Sequence, residues 1–275
     1  MTTSTGATVE QLIDEITRIP VQPGAAMRLM RMLDDPRTSA EALGKVIESD
    51  PSLSARLIQL ANTSFYGLSA PVSSAWRAVT VVGLATLRSV VATAILDIGT
   101  AEGLSVPEGF WSHSVGVAAA SGLLAPRMGV DPGEAFSAGL LHDVGIALVF
   151  RRARDRYDDI ATRAEGSCWV AAEHDALGVD HCELSSRAVG ALGFSATAVE
   201  AISQHHRSGE IGAFASVMRA ADLLAAMVQD EAVPEAERDI DETLAAVNVA
   251  EHERQPLFQR VCELVDDLET LLGGS

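Results

Sequence analysis

Short amphipathic segments at helical spacing follow one another along this chain, most opened by a capping residue and closed by glycine or proline. Strand-like alternation of apolar and polar residues is absent throughout, which leaves an all-α fold as the class the chain can adopt. Thr8 and Gln11 form a capping box ahead of Val9, Leu12, Ile13 and Ile16, and Ile19–Gly24 ends that segment. Met27, Met30 and Leu33 carry an apolar stripe to Asp34, Thr38 with Glu41 caps the next helix, and Asp50 caps a third that starts at Pro51. Ser74 to Leu96 reads as one or two apolar helices interrupted at Gly83. The Gly, Ser and Pro-rich stretch Gly99 to Gly109 is the main internal boundary. Beyond it, residues 110–128 and 132–150 read as long helices, followed by helices over 154–165, 168–177, 181–192, 196–206 and 214–228. Asp180 with Glu183, and Ser195, supply caps for the third and fourth of that last group. Gln229–Pro234 breaks the pattern, and Phe258, Val261, Leu264, Val265 and Leu268 mark a final amphipathic helix. The expected organisation is an N-terminal helical lobe (1–100) packed on a helical bundle (105–230), with a helical tail (235–275).

Composition narrows the function classes. The formal net charge of −18 repels phosphate backbones and anionic lipid, so neither nucleic acid nor membrane is expected as a partner. No apolar stretch reads as approaching the ~20 residues that span a bilayer, and the N-terminus has neither the basic start nor the apolar core of a signal peptide. Cys168, Cys182 and Cys262 are odd in number and show no CxxC spacing, which suits a reducing cytoplasm. Lys45 is the single lysine against nineteen arginines.

The chemistry concentrates in Gly139-Leu-Leu-His-Asp-Val-Gly145, where His142 and Asp143 enter an otherwise apolar run side by side. A buried carboxylate is costly unless paired or bound to a cation, and both residue types ligate divalent metals. Neighbours on a helix point about 100° apart, so the pair shares an ion only near a helix end or with ligands from elsewhere. Asp222, in Ala-Ala-Asp-Leu-Leu, is a second lone carboxylate on an apolar helix, and two of them call for a common partner. His113 joins them as a candidate ligand, although a half-buried histidine satisfied by a neighbour accounts for it equally well when taken alone. His181, at a helix start, and His205-His206, at a helix end, are weaker candidates: the first reads equally as a surface residue, the others as imidazoles complementing a helix C-terminus. Arg219, three residues before Asp222, could pair with it or face an anionic ligand, and Arg207 is a second anion candidate. Cys182 reads as a buried structural thiol, and His174 and His252 as surface residues.

The order His, His-Asp, Asp resembles the HD superfamily of metal-dependent phosphohydrolases, and more closely its HDOD branch, the HD-related output domain. The stretches that carry the resemblance are Ile47-Glu-Ser-Asp-Pro-Ser-Leu-Ser-Ala-Arg-Leu57, Leu60-Ala-Asn-Thr-Ser-Phe-Tyr-Gly67, Ala78-Val-Thr-Val-Val-Gly-Leu-Ala-Thr-Leu-Arg88 and Gly139–Gly145, in order across residues 10 to 230. The resemblance implies an HD-like bundle, a signalling role exercised through a protein partner, and His113, His142, Asp143 and Asp222 as ligands of a divalent ion (Fe, Mn or Zn). His181, His205 and His206 match positions where the related HD-GYP phosphodiesterases hold a second metal. Those enzymes carry a lysine where this chain has Ile146, and their Gly-Tyr-Pro signature is missing after His205-His206, where Arg207-Ser-Gly-Glu210 follows.

Two readings compete. One is a non-catalytic or weakly catalytic signalling module, with Phe65-Tyr66 as a contact point or, on the blander reading, core packing. The other is a metal-dependent phosphohydrolase in which Arg207 and Arg219 stabilise developing charge. A metal held for structure alone joins them. Ile146 divides them, since an isoleucine neither donates a proton nor binds phosphate, and the expectation is a module with no catalytic residues.

Overall fold

The computed structural model describes residues 10, 11, 13, 14, 24–96, 106–164, 169–207, 209–228 and 236–272, and the regular elements among these are all helical. They are α1 (Ala25–Leu33), α2 (Ala40–Ile47), α3 (Pro51–Ala61), α4 (Ala75–Leu96), α5 (Phe110–Leu124), α6 (Pro132–Leu141), α7 (Val144–Arg152), α8 (Arg154–Ala164), α9 (Trp169–Leu177), α10 (His181–Ala191), α11 (Ala196–Gln204), α12 (Ala213–Val228), α13 (Ala236–Ala246) and α14 (Glu251–Leu272). A 3-10 turn, Ala125–Met128, continues α5. Most of the segment around the Thr8 capping box, residues 99–105 of the Gly99–Gly109 boundary and the Gln229–Pro234 break lie outside the described residues.

Local signals set several helix starts. Asp50 accepts from the amides of Ser52 and Leu53, Asp180 from Glu183 and Ser195 from Ala198, satisfying donors that the first helical turn leaves open. The cap of α2 is Ser39, which accepts from Ala42, rather than Thr38; two hydroxyl residues stand side by side and the chain uses the second. The helix expected over 132–150 is two helices, parted at His142-Asp143. Gly83 interrupts α4 with φ 79° and ψ 170°, as the sequence implies.

Packing is organised around two helices. The first, α4, lies against α1, α2 and α3 on one side and α6 on the other, so it joins the N-terminal helices to the bundle. The second, α5, is covered by α6, α12 and α14. Val261, Leu264, Val265 and Leu268 of α14 are buried in the same apolar cluster as Leu57, Leu87 and Val117. Phe65 packs on Phe136, ring centroids 5.1 Å apart, so the Phe65 side of the Phe65-Tyr66 pair is core packing. Contrary to the sequence expectation, Ala75–Leu96 and the run Pro132–Arg152 are long and apolar enough to cross a bilayer by length and composition. In the fold they are core helices, with 61% and 83% of their most apolar windows buried.

Candidate metal centre

Two glycines let the backbone approach that builds the site. A Cβ on Gly139 would stand 2.8 Å from the Ala118 Cα and the Val117 carbonyl oxygen, so α6 lies directly on α5. A Cβ on Gly145 would stand 2.7 Å from the His181 carbonyl oxygen, so α7 lies equally close on α10. The Gly145 amide donates to Ser185 Oγ at 2.9 Å across that contact. Between these glycines the chain changes helix: His142 ends α6, and Asp143 begins α7 with φ −105° and ψ 15°. Asp143 makes no capping bond with its side chain, which excludes the ordinary role of an aspartate accepting amides at a turn. Its carboxylate faces histidines instead.

One oxygen of Asp143 serves each of two groups. Oδ2 is 3.2 Å from His142 Nε2 and 3.8 Å from His113 Nε2; Oδ1 is 3.4 Å from His181 Nε2 and 3.6 Å from His205 Nε2. Asp222, from the middle of α12, places Oδ1 3.0 Å from His113 Nε2 and 3.7 Å from His142 Nε2. Oδ2 of Asp222 is 3.8 Å from His206 Nδ1. His113 comes from the first turn of α5, His181 opens α10, and His205 closes α11 with His206 beside it. The structure therefore brings together all seven residues singled out as strong or weak ligand candidates. His181 is buried, at 2% exposure, and is not a surface residue. Arg207 is exposed and accepts a 3.3 Å bond from Arg219 at its carbonyl oxygen, tying the segment after α11 to α12. His174 is exposed beside Asp180, and His252 is exposed.

The histidines are oriented as ligands. His142 Nδ1 lies 2.8 Å from the Gly139 carbonyl and His205 Nδ1 2.7 Å from the Ile202 carbonyl. A carbonyl only accepts, so each Nδ1 carries the proton and Nε2 keeps its lone pair when the ring is neutral. His181 Nδ1 is held at 2.7 Å by Glu173, a glutamate buried to 3% exposure, in the arrangement by which a carboxylate fixes a metal-binding imidazole. Sequence reasoning missed Glu173; its only signal was a lone carboxylate after Val-Ala-Ala on α9. Cys182 is buried, as expected, and its Sγ stands 3.6 Å from His181 Nε2 within a group that includes His205 and His206. His142 Nε2, His205 Nε2 and Asp143 Oδ1 are buried and make no hydrogen bond, which is the condition a bound cation relieves. These donors fit a divalent ion.

Burial works against every charge here; the partners outweigh it at Asp143, Asp222, His142, His181 and His205, whereas burial and the neighbouring His205 draw His206 down to about 3. The imidazoles of His142 and His181 hold Asp143, and those of His113 and His142 hold Asp222, well below the usual carboxylate range. In return the carboxylates push His142 up to about 9, and Asp143 with Cys182 pushes His205 up to about 10. The Cys182 thiol is drawn down to about 7 by His181 and His205. Protons on His142, His181 and His205 thus stand in for a cation when none is bound. A raised histidine pKa stabilises the fold fully below the unfolded value of 6.5, and that contribution is lost as pH rises through about 9 to 10. The depressed carboxylates contribute above their ordinary 3.8 and lose that contribution on acidification. Metal uptake must displace histidine protons, so it is expected to release protons at neutral pH. The thermal shift caused by manganese should grow with pH while the stability of metal-free protein falls. Calorimetry in buffers of different ionisation enthalpy checks this, and proton-neutral uptake would contradict it.

Two cavities, of about 380 and 530 Å³, lie elsewhere in the molecule. The first is lined by residues such as Asp131, Glu134, Glu200 and Phe214, the second by residues such as Phe65, Tyr66 and Leu123; none of the seven cluster residues lines either.

Comparison with known proteins follows the same outline. The HDOD domain profile matches residues 19–208, a span that includes His113, His142, Asp143, His181, His205 and His206 and stops short of Asp222. No curated protein matches the chain. A protein from Shewanella amazonensis SB2B, provisionally described as a phosphohydrolase, shares 26% identity over 96% of this chain and 99% of its own, with a TM-score of 0.72. An HDOD domain protein of unknown function from Geobacter sulfurreducens aligns at TM-score 0.66 and 23% identity, over 93% of this chain and 96% of its own. A provisionally described signal transduction protein from Marinobacter aquaeolei VT8 aligns at TM-score 0.70 and 21% identity, over 95% of this chain but 60% of its own.

Proposed function

The chain belongs to the HDOD family, and from that premise we propose that it is a regulatory domain whose metal centre clasps helix ends, setting a packing state that a protein partner reads. One observation carries this reading. The cluster lies where α5 begins, α6 passes into α7, α10 begins and α11 ends, with α12 closing it through Asp222, so occupancy acts on the packing of six helices together. Two imidazoles and two carboxylates, from His113, His142, Asp143 and Asp222, suit manganese, iron or zinc. A protein is the partner class the acidic chain favours, since a net charge of −18 opposes nucleic acid. The description of the Marinobacter protein as a signal transduction protein points the same way.

Against turnover stands Ile146. Ile146 occupies the first turn of α7, three residues after Asp143, and offers no charge to a phosphoryl oxygen. The second reading, a metal-dependent phosphohydrolase, is favoured by the donor set itself and by the Shewanella protein's description. A divalent ion there would supply Lewis acidity to a phosphoryl group. The residues of this chain would do no more than hold it, with Arg207 and Arg219 as the candidate anion contacts.

The expected result is little or no hydrolysis of an activated phosphodiester or of cyclic di-GMP with manganese, iron or zinc supplied. Robust turnover that vanishes in His142→Ala and Asp143→Ala would replace the regulatory reading with the enzymatic one.

A further inference from the structure

We propose that Cys182 is a thiolate ligand of a second metal position, formed with His181, His205 and His206 beside the position described above. The inference deepens the reading given under Proposed function and rests on it, because Asp143 faces both groups with one oxygen each.

The geometry is that of a compact donor set. One ligand atom from each of His181, Cys182, His205 and His206 lies within 4.8 Å of the others. Bonds of about 2.3 Å to sulfur and 2.0–2.1 Å to nitrogen place tetrahedral ligands roughly 3.3–3.6 Å apart. Cys182 Sγ and His181 Nε2 are 3.6 Å apart. A thiol alone would carry no such inference, and His205 supplies the independent observation. Its Nε2 is fully buried, makes no hydrogen bond, and belongs to this set. Its Nδ1 is committed to the Ile202 carbonyl, so the ring cannot turn to satisfy Nε2 elsewhere without losing that bond. Glu173 fixes His181 in the same sense. His206, whose side chain is 39% exposed, opens the set to solvent and gives an ion a way in.

The donor types differ between the two positions. Sulfur with three imidazoles is a soft set that favours zinc, cobalt or cadmium, whereas the carboxylate-rich set around Asp222 accepts manganese. Coordination converts the Cys182 thiol to thiolate, its proton leaving to solvent, with no change of oxidation state.

Cobalt(II) titration of the whole chain, freed of metal beforehand, tests this directly. The expected result is a thiolate-to-cobalt charge-transfer band that persists in Cys168→Ser/Cys262→Ser and is lost in Cys182→Ser, with one ion fewer bound per chain. Manganese binding, followed by electron paramagnetic resonance, should be retained in Cys182→Ser, which also reports that the variant is folded. Absence of the charge-transfer band in the wild-type protein would overturn the thiolate assignment while leaving the manganese position standing. Failure of any ion to bind would overturn the metal reading as a whole. A band that survives Cys182→Ser would place the thiolate elsewhere and overturn the proposal.

Discussion

Asp143→Asn is expected to abolish manganese binding and to lower the stability of the metal-free protein by about 3–5 kcal/mol, the usual cost of removing one partner from a buried ion pair. The substitution preserves shape, so the effect isolates charge. One oxygen of Asp143 is within 3.8 Å of His142 and His113, and the other within 3.6 Å of His181 and His205. Without that carboxylate the imidazolium charge on His142 and His205 loses a principal counterion in a fully buried place, and both rings should titrate at lower pH. The stabilisation produced by manganese in the wild-type protein, about 2.7 kcal/mol at a ligand concentration of 100 Kd, should disappear with it. Elemental analysis of protein purified without a histidine tag or chelator, together with thermal melts with and without added metal, checks both halves. Wild-type stoichiometry in the variant would remove Asp143 from the ligand set.

The second large effect is steric and lies outside the ligands. Gly145→Ala would place a methyl group 2.7 Å from the His181 carbonyl oxygen, 2.9 Å from Leu184 Cβ and 3.0 Å from the Ser185 amide. Two of these atoms are backbone and cannot turn aside, so α7 and α10 must separate. Overpacking of this kind costs about 1–3 kcal/mol. His181 opens α10, so the separation also displaces a histidine whose distance from Asp143 is 3.4 Å. Metal affinity should fall roughly 10- to 100-fold, as it does when the supports behind metal ligands are altered. Gly190→Ala is the control. It is the same substitution in the same helix as the displaced ligand, but its new methyl would meet Val199 at an ordinary 3.7 Å. Helix propensity then makes Gly190→Ala neutral or stabilising by about 0.5–1 kcal/mol. Equal stability of the two variants would show that the α7–α10 contact is looser than its geometry implies.

What the sequence determined by itself is local. Asp50, Asp180 and Ser195 cap helices because their oxygens reach amides two or three residues onward, a relation set by chain connectivity. The Gly83 interruption and the all-helical class follow from the same short-range rules. His142-Asp143 stood out for a reason equally local, a polar pair inside an apolar run, and that anomaly marked the site without showing what completes it. The split of 132–150 into two helices was not legible, because neither residue at the break, His142 or Asp143, is a glycine or proline. Glu173 was unreadable for a related reason. Its significance is a distance to His181 Nδ1 that burial on a neighbouring helix created, whereas Cys182 stood beside His181 in the sequence and only the fold brought His205 and His206 to the same group. Gly139 and Gly145 bounded the motif in the sequence as apparent spacers. Only the close approach of α5 and α10 gave them a function, because the clearance a missing Cβ leaves is defined by the helix that fills it.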